Sequence, residues 1–303
     1  MNILLVGAKG QLGTEITKCF ERGRTELGVP KVLLSENFVR GIDIDELDIS
    51  DVSAVRAVMN EKKYDAVINC AAYTNVNKCE TERDLAFRAN SLGPRNLAMV
   101  SEEFGAKLVH VSTDYVFTGD GSVPYAEYDV CAPVSVYGKT KFLGEEYVKQ
   151  FSTKYFIIRT AWLYGYYGNN FVKTMMKINR ENGASRVVCD QRGNPTNAAD
   201  LAHHILKLLT TDEYGIYHGT GNGECSWYEF TEKIVEYAGI KASVSPCTTD
   251  EYPTPAKRPA YSSLDNMMFR QTVGDEFRPW EEALSCFMKN YLEMEKENKG
   301  ENK

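Results

Sequence analysis

The chain has 303 residues, 43% hydrophobic and 25% charged, with a net charge of −7. That length suits one large α/β unit or about two domains. The acidic balance argues against a nucleic-acid partner, which needs a basic surface, and no apolar run approaches the ~18 residues of a membrane helix. Eight cysteines are spread along the chain with no Cys-x-x-Cys pair. They read as reduced thiols of a cytoplasmic protein. The run from Met1 to Gly7 lacks a preceding basic region and is too short for a signal peptide.

In chain order, Asn2 to Val6 reads as a buried parallel strand. A helix follows from about Gln11 to Arg22. The stretch from Glu26 to Arg40 is poorly patterned and reads as an insertion. A second strand is expected around Ile42 to Asp45, a helix over Val52 to Glu61, and a third strand over Tyr64 to Ala71. Asp84 to Phe104 reads as one long helix, Lys107 to Ser112 as a fourth strand, Tyr137 to Gln150 as a helix and Tyr155 to Arg159 as a fifth strand. Strands alternating with helices imply βαβ units and a doubly wound, Rossmann-like parallel sheet.

Beyond Ala161 the alternation weakens. Helices are expected over Asn170 to Asn179, Ser226 to Ala238 and Trp280 to Glu293, with short strands at Val187 to Cys189 and Gly215 to Gly219. The prolines of Tyr252 to Pro259 exclude a regular element there. Glu293 to Lys303 reads as a frayed polar tail. The expected organisation is a dinucleotide-binding domain over 1–165 that also receives about 195–220. A smaller, interleaved substrate-binding α/β portion occupies the rest of 166–303.

Three groups of residues carry chemistry. Gly7-x-x-Gly10-x-x-Gly13 follows a strand and opens a helix. Such glycines permit a tight turn and close approach of a pyrophosphate, which the helix N-terminus attracts. An acid at the end of the second strand then takes the ribose hydroxyls. Asp43 is the candidate, with Glu36 the alternative if Lys31 to Leu34 is the strand instead. A carboxylate there would repel a 2′-phosphate, so Asp43 leans toward NADH. Asp48 and Ile49 could hold the adenine, and the small residues Cys70, Ala71 and Ala72 let the chain pass close to a dinucleotide. Thr113 ends the fourth strand, where open sheets bind ligands. Its hydroxyl can stabilise an alkoxide forming on a substrate carbonyl. Finally, Tyr137 and Lys141 lie four apart on one helix face. An ammonium one turn away is expected to lower the phenol from its usual ~10. That would make Tyr137 a proton donor or acceptor near neutral pH.

The ordered set of blocks resembles the extended short-chain dehydrogenase/reductases, and within them the dTDP-4-dehydrorhamnose reductases. The blocks are Gly7-x-x-Gly10-Gln11-Leu12-Gly13, Asn69-Cys70-Ala71-Ala72-Tyr73-Thr74-x-Val76, Ser112-Thr113-Asp114-Tyr115-Val116-Phe117, Tyr137-Gly138-Lys139-Thr140-Lys141, Arg159-Thr160-x-Trp162-x-Tyr164, Gly168-Asn169-Asn170-Phe171, Asp190-Gln191-x-Gly193-x-Pro195-Thr196 and Arg258-Pro259. The resemblance implies reduction of the C4 ketone of a dTDP-linked 4-keto-6-deoxysugar by NADH or NADPH. Thr113, Tyr137 and Lys141 become the catalytic set. Gly10, Gln11, Leu12, Asp48, Ile49, Cys70, Ala71, Ala72, Tyr137 and Lys141 become cofactor contacts. Asp114, Tyr115 and Trp162 would position the sugar, and the guanidinium of Arg258 suits a diphosphate. Some family members hold Mg²⁺ through glutamates at a homodimer interface; Glu15 matches one of these, and the others have no counterpart here. An epimerase or dehydratase acting on another nucleotide sugar, and a non-catalytic regulatory subunit, are the rival readings. Net consumption of reduced cofactor separates the reductase from both.

Overall fold

The computed structural model describes residues 1–300. Asn2–Val6 forms strand β1, in which successive side chains point to opposite faces. Ile3 and Leu5 enter one core; Leu4 and Val6 enter the other. Both faces are covered, so the run is apolar without alternation. Strands β2 (Phe38–Ile42), β3 (Ala66–Asn69), β4 (Lys107–Thr113) and β5 (Tyr155–Thr160) join it, with Gly215–His218 as the sixth. All pair in parallel. From one edge the order is Gly215–His218, β5, β4, β3, β1, β2. The chain runs from β1 to β2 on one side and then to β3 on the other. Ligands of open α/β sheets bind at such a reversal, beyond the carboxyl ends of the strands.

The helices are α1 (Gln11–Arg22), α2 (Val52–Glu61), α3 (Val76–Cys79), α4 (Arg83–Phe87), α5 (Gly93–Phe104), α6 (Val136–Phe151), α7 (Phe171–Asn182), α8 (Ala198–Leu208), α9 (Trp227–Tyr237), α10 (Met267–Gln271) and α11 (Trp280–Gly300). Leu12 and Ile16 of α1 and Leu201 and Ile205 of α8 cover one face of the sheet. Val55 of α2, Leu97 of α5 and Val148 of α6 cover the other. A third core joins α7, α9 and α11 through Met175, Met176, Phe230, Ile234, Leu284 and Phe287. Beside it, Ala184–Val188 pairs in parallel with Ser243–Cys247.

Several elements differ from expectation. The second strand is Phe38–Ile42, beginning inside the supposed insertion and meeting the expected strand only at Ile42, and Asp43 lies just past its end. It is an edge strand with Phe38 44% exposed, so it lacks the apolar run of a doubly covered strand. Lys31–Leu34 is a 3₁₀ turn. Glu36 accepts a hydrogen bond from the Met1 amino group through its carbonyl at 3.2 Å, at the opposite end of β1 from the glycines, and so is removed as a ribose ligand. The long helix is interrupted by a π segment, Arg88–Leu92, just before Pro94, whose ring nitrogen cannot donate to the ladder. The strand placed at Val187 to Cys189 is Ala184–Val188, and its partner Ser243–Cys247 was not anticipated. The last helix runs on to Gly300, which replaces most of the expected frayed tail; 301–303 lie outside the described residues. All eight cysteines are free. Among the described residues no helix is long and apolar enough to cross a membrane.

Candidate active site

The glycine loop stands at the sheet reversal. Gly7 has φ +76°, and a Cβ there would lie 2.6 Å from the Ala71 nitrogen, so only glycine fits between β1 and the end of β3. The Gly7 amide donates to the Ile42 carbonyl at 2.9 Å, tying the loop to the end of β2. Asp43 accepts from the Lys9 amide at 2.9 Å and from its neighbour Ile44 at 2.8 Å. The acid at the second strand is thus held against the loop itself.

Two cavities flank this loop and share Lys9, Gly10, Cys70 and Ala72. One, of 520 Å³, is lined by Asp43, Asp48, Ile49, Ala71 and Arg88 among others. Hydrogen bonds from Ser50, with Arg88 at 3.1 Å, hold the Asp48 carboxyl below its usual range. The other, of 570 Å³, is lined by Gln11, Leu12, Gly13, Thr113, Asp114, Tyr115, Tyr137, Lys141 and Trp162. Together they fit an extended dinucleotide. An acid sits at one end, helix amides and close-packed glycine backbone lie at the middle, and proton-bearing side chains stand at the other end.

Thr113 and Tyr137 are distant in sequence and are brought together by α6. Ser135 caps that helix, its hydroxyl accepting from the Gly138 amide at 3.1 Å. A Cβ at Gly138 would stand 2.2 Å from the Tyr115 carbonyl oxygen, so the helix start presses on the turn after β4. The Tyr115 and Tyr137 rings meet edge to face at 5.5 Å, and the Thr113 hydroxyl faces the Tyr137 phenol. Thr113 donates to Asp114 at 2.9 Å and accepts from the Tyr115 amide at 3.3 Å. Asp114 is buried with Oδ2 unpartnered, and burial pushes its carboxyl up to about 6. The Thr160 hydroxyl, lining the same cavity, is also unpartnered.

Lys141 is buried one turn along α6. Its Nζ donates to the Val111 carbonyl of β4 at 2.6 Å. Burial lowers its ammonium to about 8, partly offset by Glu145. The Tyr137 phenol moves opposite to the sequence expectation: burial pushes it well up. Desolvation of the phenolate outweighs the hydrogen bond from Thr113 that favours it, while Lys141 is anchored on β4. Tyr137 therefore stays protonated, as a proton donor requires, beside a cation that can compensate charge left on the phenol.

Sequence reasoning passed over the support behind this set. Glu145, on the same face as Lys141 and one turn further, makes a two-point ion pair with Arg159 of β5 at 2.8–3.2 Å and accepts from Ser112 at 2.5 Å. The spacing from Lys141 was its only sequence signal. Arg258 does not line the Tyr137 cavity. It lines a neighbouring one of 600 Å³ with Phe171, Arg186, Val187, Gln191 and Trp227, and its Nε is buried without a partner. Trp227, also passed over, lines both. Glu15 is buried on α1 with Arg22 at 3.9 Å, and burial raises its carboxyl to about 7. Among the described residues no three His, Cys, Asp or Glu side chains are grouped to hold a metal ion.

Known proteins resemble this chain in sequence and in fold. The family model described as the RmlD substrate binding domain matches residues 1–293. A dTDP-4-dehydrorhamnose reductase of Clostridium acetobutylicum has a crystal structure 46% identical in sequence, with a TM-score of 0.91 over 96% of this chain and 100% of that one. The dTDP-4-dehydrorhamnose reductase of Bacillus anthracis, solved in complex with NADP, is 43% identical with a TM-score of 0.89, covering 95% and 99%. The spore coat polysaccharide biosynthesis protein SpsK of Bacillus subtilis is 39% identical over 94% of this chain and 96% of that protein. On its matched length, its near-complete relatives and its glycine-loop sheet, the chain belongs to the RmlD substrate binding domain family.

Proposed function

We propose that this protein is an NAD(P)H-dependent reductase of the C4 ketone of dTDP-4-dehydro-L-rhamnose. The product is dTDP-L-rhamnose, for cell-surface polysaccharide biosynthesis in the cytoplasm. One observation carries the reading: Thr113, Tyr137 and Lys141 line the same cavity as the glycine loop. Residues 1–165 and about 195–220 form the dinucleotide-binding portion, and the remainder binds the sugar nucleotide. Asp43 serves the ribose, Asp48 and Ile49 the adenine, and Gly7 to Gly13 with Cys70 to Ala72 the pyrophosphate path. The bound dihydronicotinamide supplies a hydride for the carbonyl carbon.

The chain's own residues do the rest. Thr113 turns its hydroxyl from Asp114 to the ketone oxygen and stabilises charge growing there. Tyr137, kept protonated by burial, gives its proton to that oxygen. Lys141 offsets the resulting phenolate across one helical turn. Asp114, Tyr115 and Trp162 orient the sugar. Arg258, with its free Nε, serves the diphosphate from the adjoining cavity.

Tyr137→Phe tests this. With dTDP-4-dehydrorhamnose generated in place and NADH or NADPH supplied in turn, kcat is expected to fall ~10²–10⁴-fold. Near-normal turnover by the variant refutes the assignment.

A further inference from the structure

Among the described residues, Trp162 is the only non-glycine residue with a left-handed backbone, at φ 48°. That conformation is costly for a bulky side chain and persists only where the surroundings enforce it. Here they do so from two sides. The Trp162 indole lies flat on Trp227, with centroids 3.5 Å apart and planes 7° from parallel. Against its other flank comes the backbone of Gly193, where a Cβ would stand 2.7 Å from Trp162 Cε2 and Nε1.

Trp227 is itself firmly seated. It is the first residue of α9, directly after a reciprocal cap: the Glu229 amide donates to the Ser226 hydroxyl at 3.1 Å, and the Ser226 amide donates to Glu229 at 2.6 Å. Phe171 packs on it at 4.4 Å. Only half-buried, its indole forms a wall of both the Tyr137 cavity and the Arg258 cavity.

We propose that Trp227 is a specificity-determining residue, which holds Trp162 in the left-handed conformation and contacts the substrate where the keto-sugar passes into the nucleoside diphosphate. This rests on the reductase reading. The sugar lies against Trp162, the nucleotide lies beyond Trp227, and the indole pair sets how far the C4 carbonyl reaches toward Tyr137. Phenylalanine at 227 keeps a stacking surface; alanine removes it.

The stacked indoles supply a readout independent of turnover, a coupled signal in far-ultraviolet circular dichroism. Trp227→Ala is expected to lose this couplet and to raise KM for the sugar nucleotide roughly threefold to tenfold, with NADPH affinity unchanged. Trp227→Phe is expected to keep KM within about twofold. An unchanged KM in Trp227→Ala overturns the proposal, and so does an equal loss of NADPH affinity. Should the alanine variant fail to fold, titration of the wild-type protein with dTDP decides: the couplet is expected to change on saturation, and an unaltered couplet refutes the placement. Absence of ketone-dependent NADPH oxidation in the wild type would defeat the reductase reading alone, because the dTDP titration still reports on the indole pair.

Discussion

Replacing Lys141 by methionine should abolish activity and yet stabilise the fold. Lys141 is 1% exposed, and burial lowers its ammonium from 10.5 to about 8. At neutral pH the native state therefore carries a cation disfavoured by roughly 3 kcal/mol. Methionine keeps a flexible apolar stem of similar length and removes the charge. It also removes the 2.6 Å bond to the Val111 carbonyl, a loss of about 1 kcal/mol. The balance is a gain on the order of 1–2 kcal/mol. The native pKa lies below the unfolded one, so between about 8 and 10.5 the unfolded chain binds more protons. The advantage of Lys141→Met is therefore complete below about pH 8 and closes as pH rises to 10.5. Wild-type turnover should decline over the start of that window, as Lys141 loses its proton. Urea unfolding of both proteins at several pH values measures the gap, and initial rates of NADPH oxidation measure the loss. A variant that unfolds at lower urea than wild type at pH 7, with a difference that does not vary with pH, would refute the reasoning.

Two further outcomes follow from the supporting contacts. Glu145→Gln leaves the Arg159 guanidinium buried without its counter-charge and should cost ~3–5 kcal/mol, read as an earlier urea midpoint; an unshifted midpoint would deny the pair any structural role. Asp43→Asn keeps an acceptor for the Lys9 amide but removes the charge facing a 2′-phosphate. The ratio of kcat/KM for NADPH over NADH should rise about tenfold, and a ratio that stays put would remove Asp43 from the ribose site.

The legible parts were those with local signatures. β1 is a short apolar run ending in glycines, and Tyr137 and Lys141 need only helical spacing to share a face. The edge strand β2 was misplaced because only Ile42 in it is fully buried, which leaves little apolar pattern. In the pair Ala184–Val188 and Ser243–Cys247, Val187 and Val188 gave a strand signal in the first segment, but the second is mostly exposed and carries a proline, so nothing in it announced the partner. Arg258 was expected to meet a diphosphate, but its place in a cavity neighbouring that of Tyr137 depends on how an irregular loop lies across the C-terminal core. Trp227 and Glu145 looked like ordinary helix residues; their partners Trp162 and Arg159 come from elsewhere in the chain.

From its residues alone this chain specifies an alternating α/β fold, a glycine turn after the first strand, and a hydroxyl, a phenol and an amine in a fixed order. Those follow from backbone geometry and periodicities of two and 3.6, which are local properties. Tertiary structure decided that Tyr137 holds its proton rather than sheds it, that Lys141 is anchored on β4, and that two indoles stack where two cavities adjoin. Each of these depends on solvent removed or surfaces joined by distant segments, and desolvation is a property of the assembled fold.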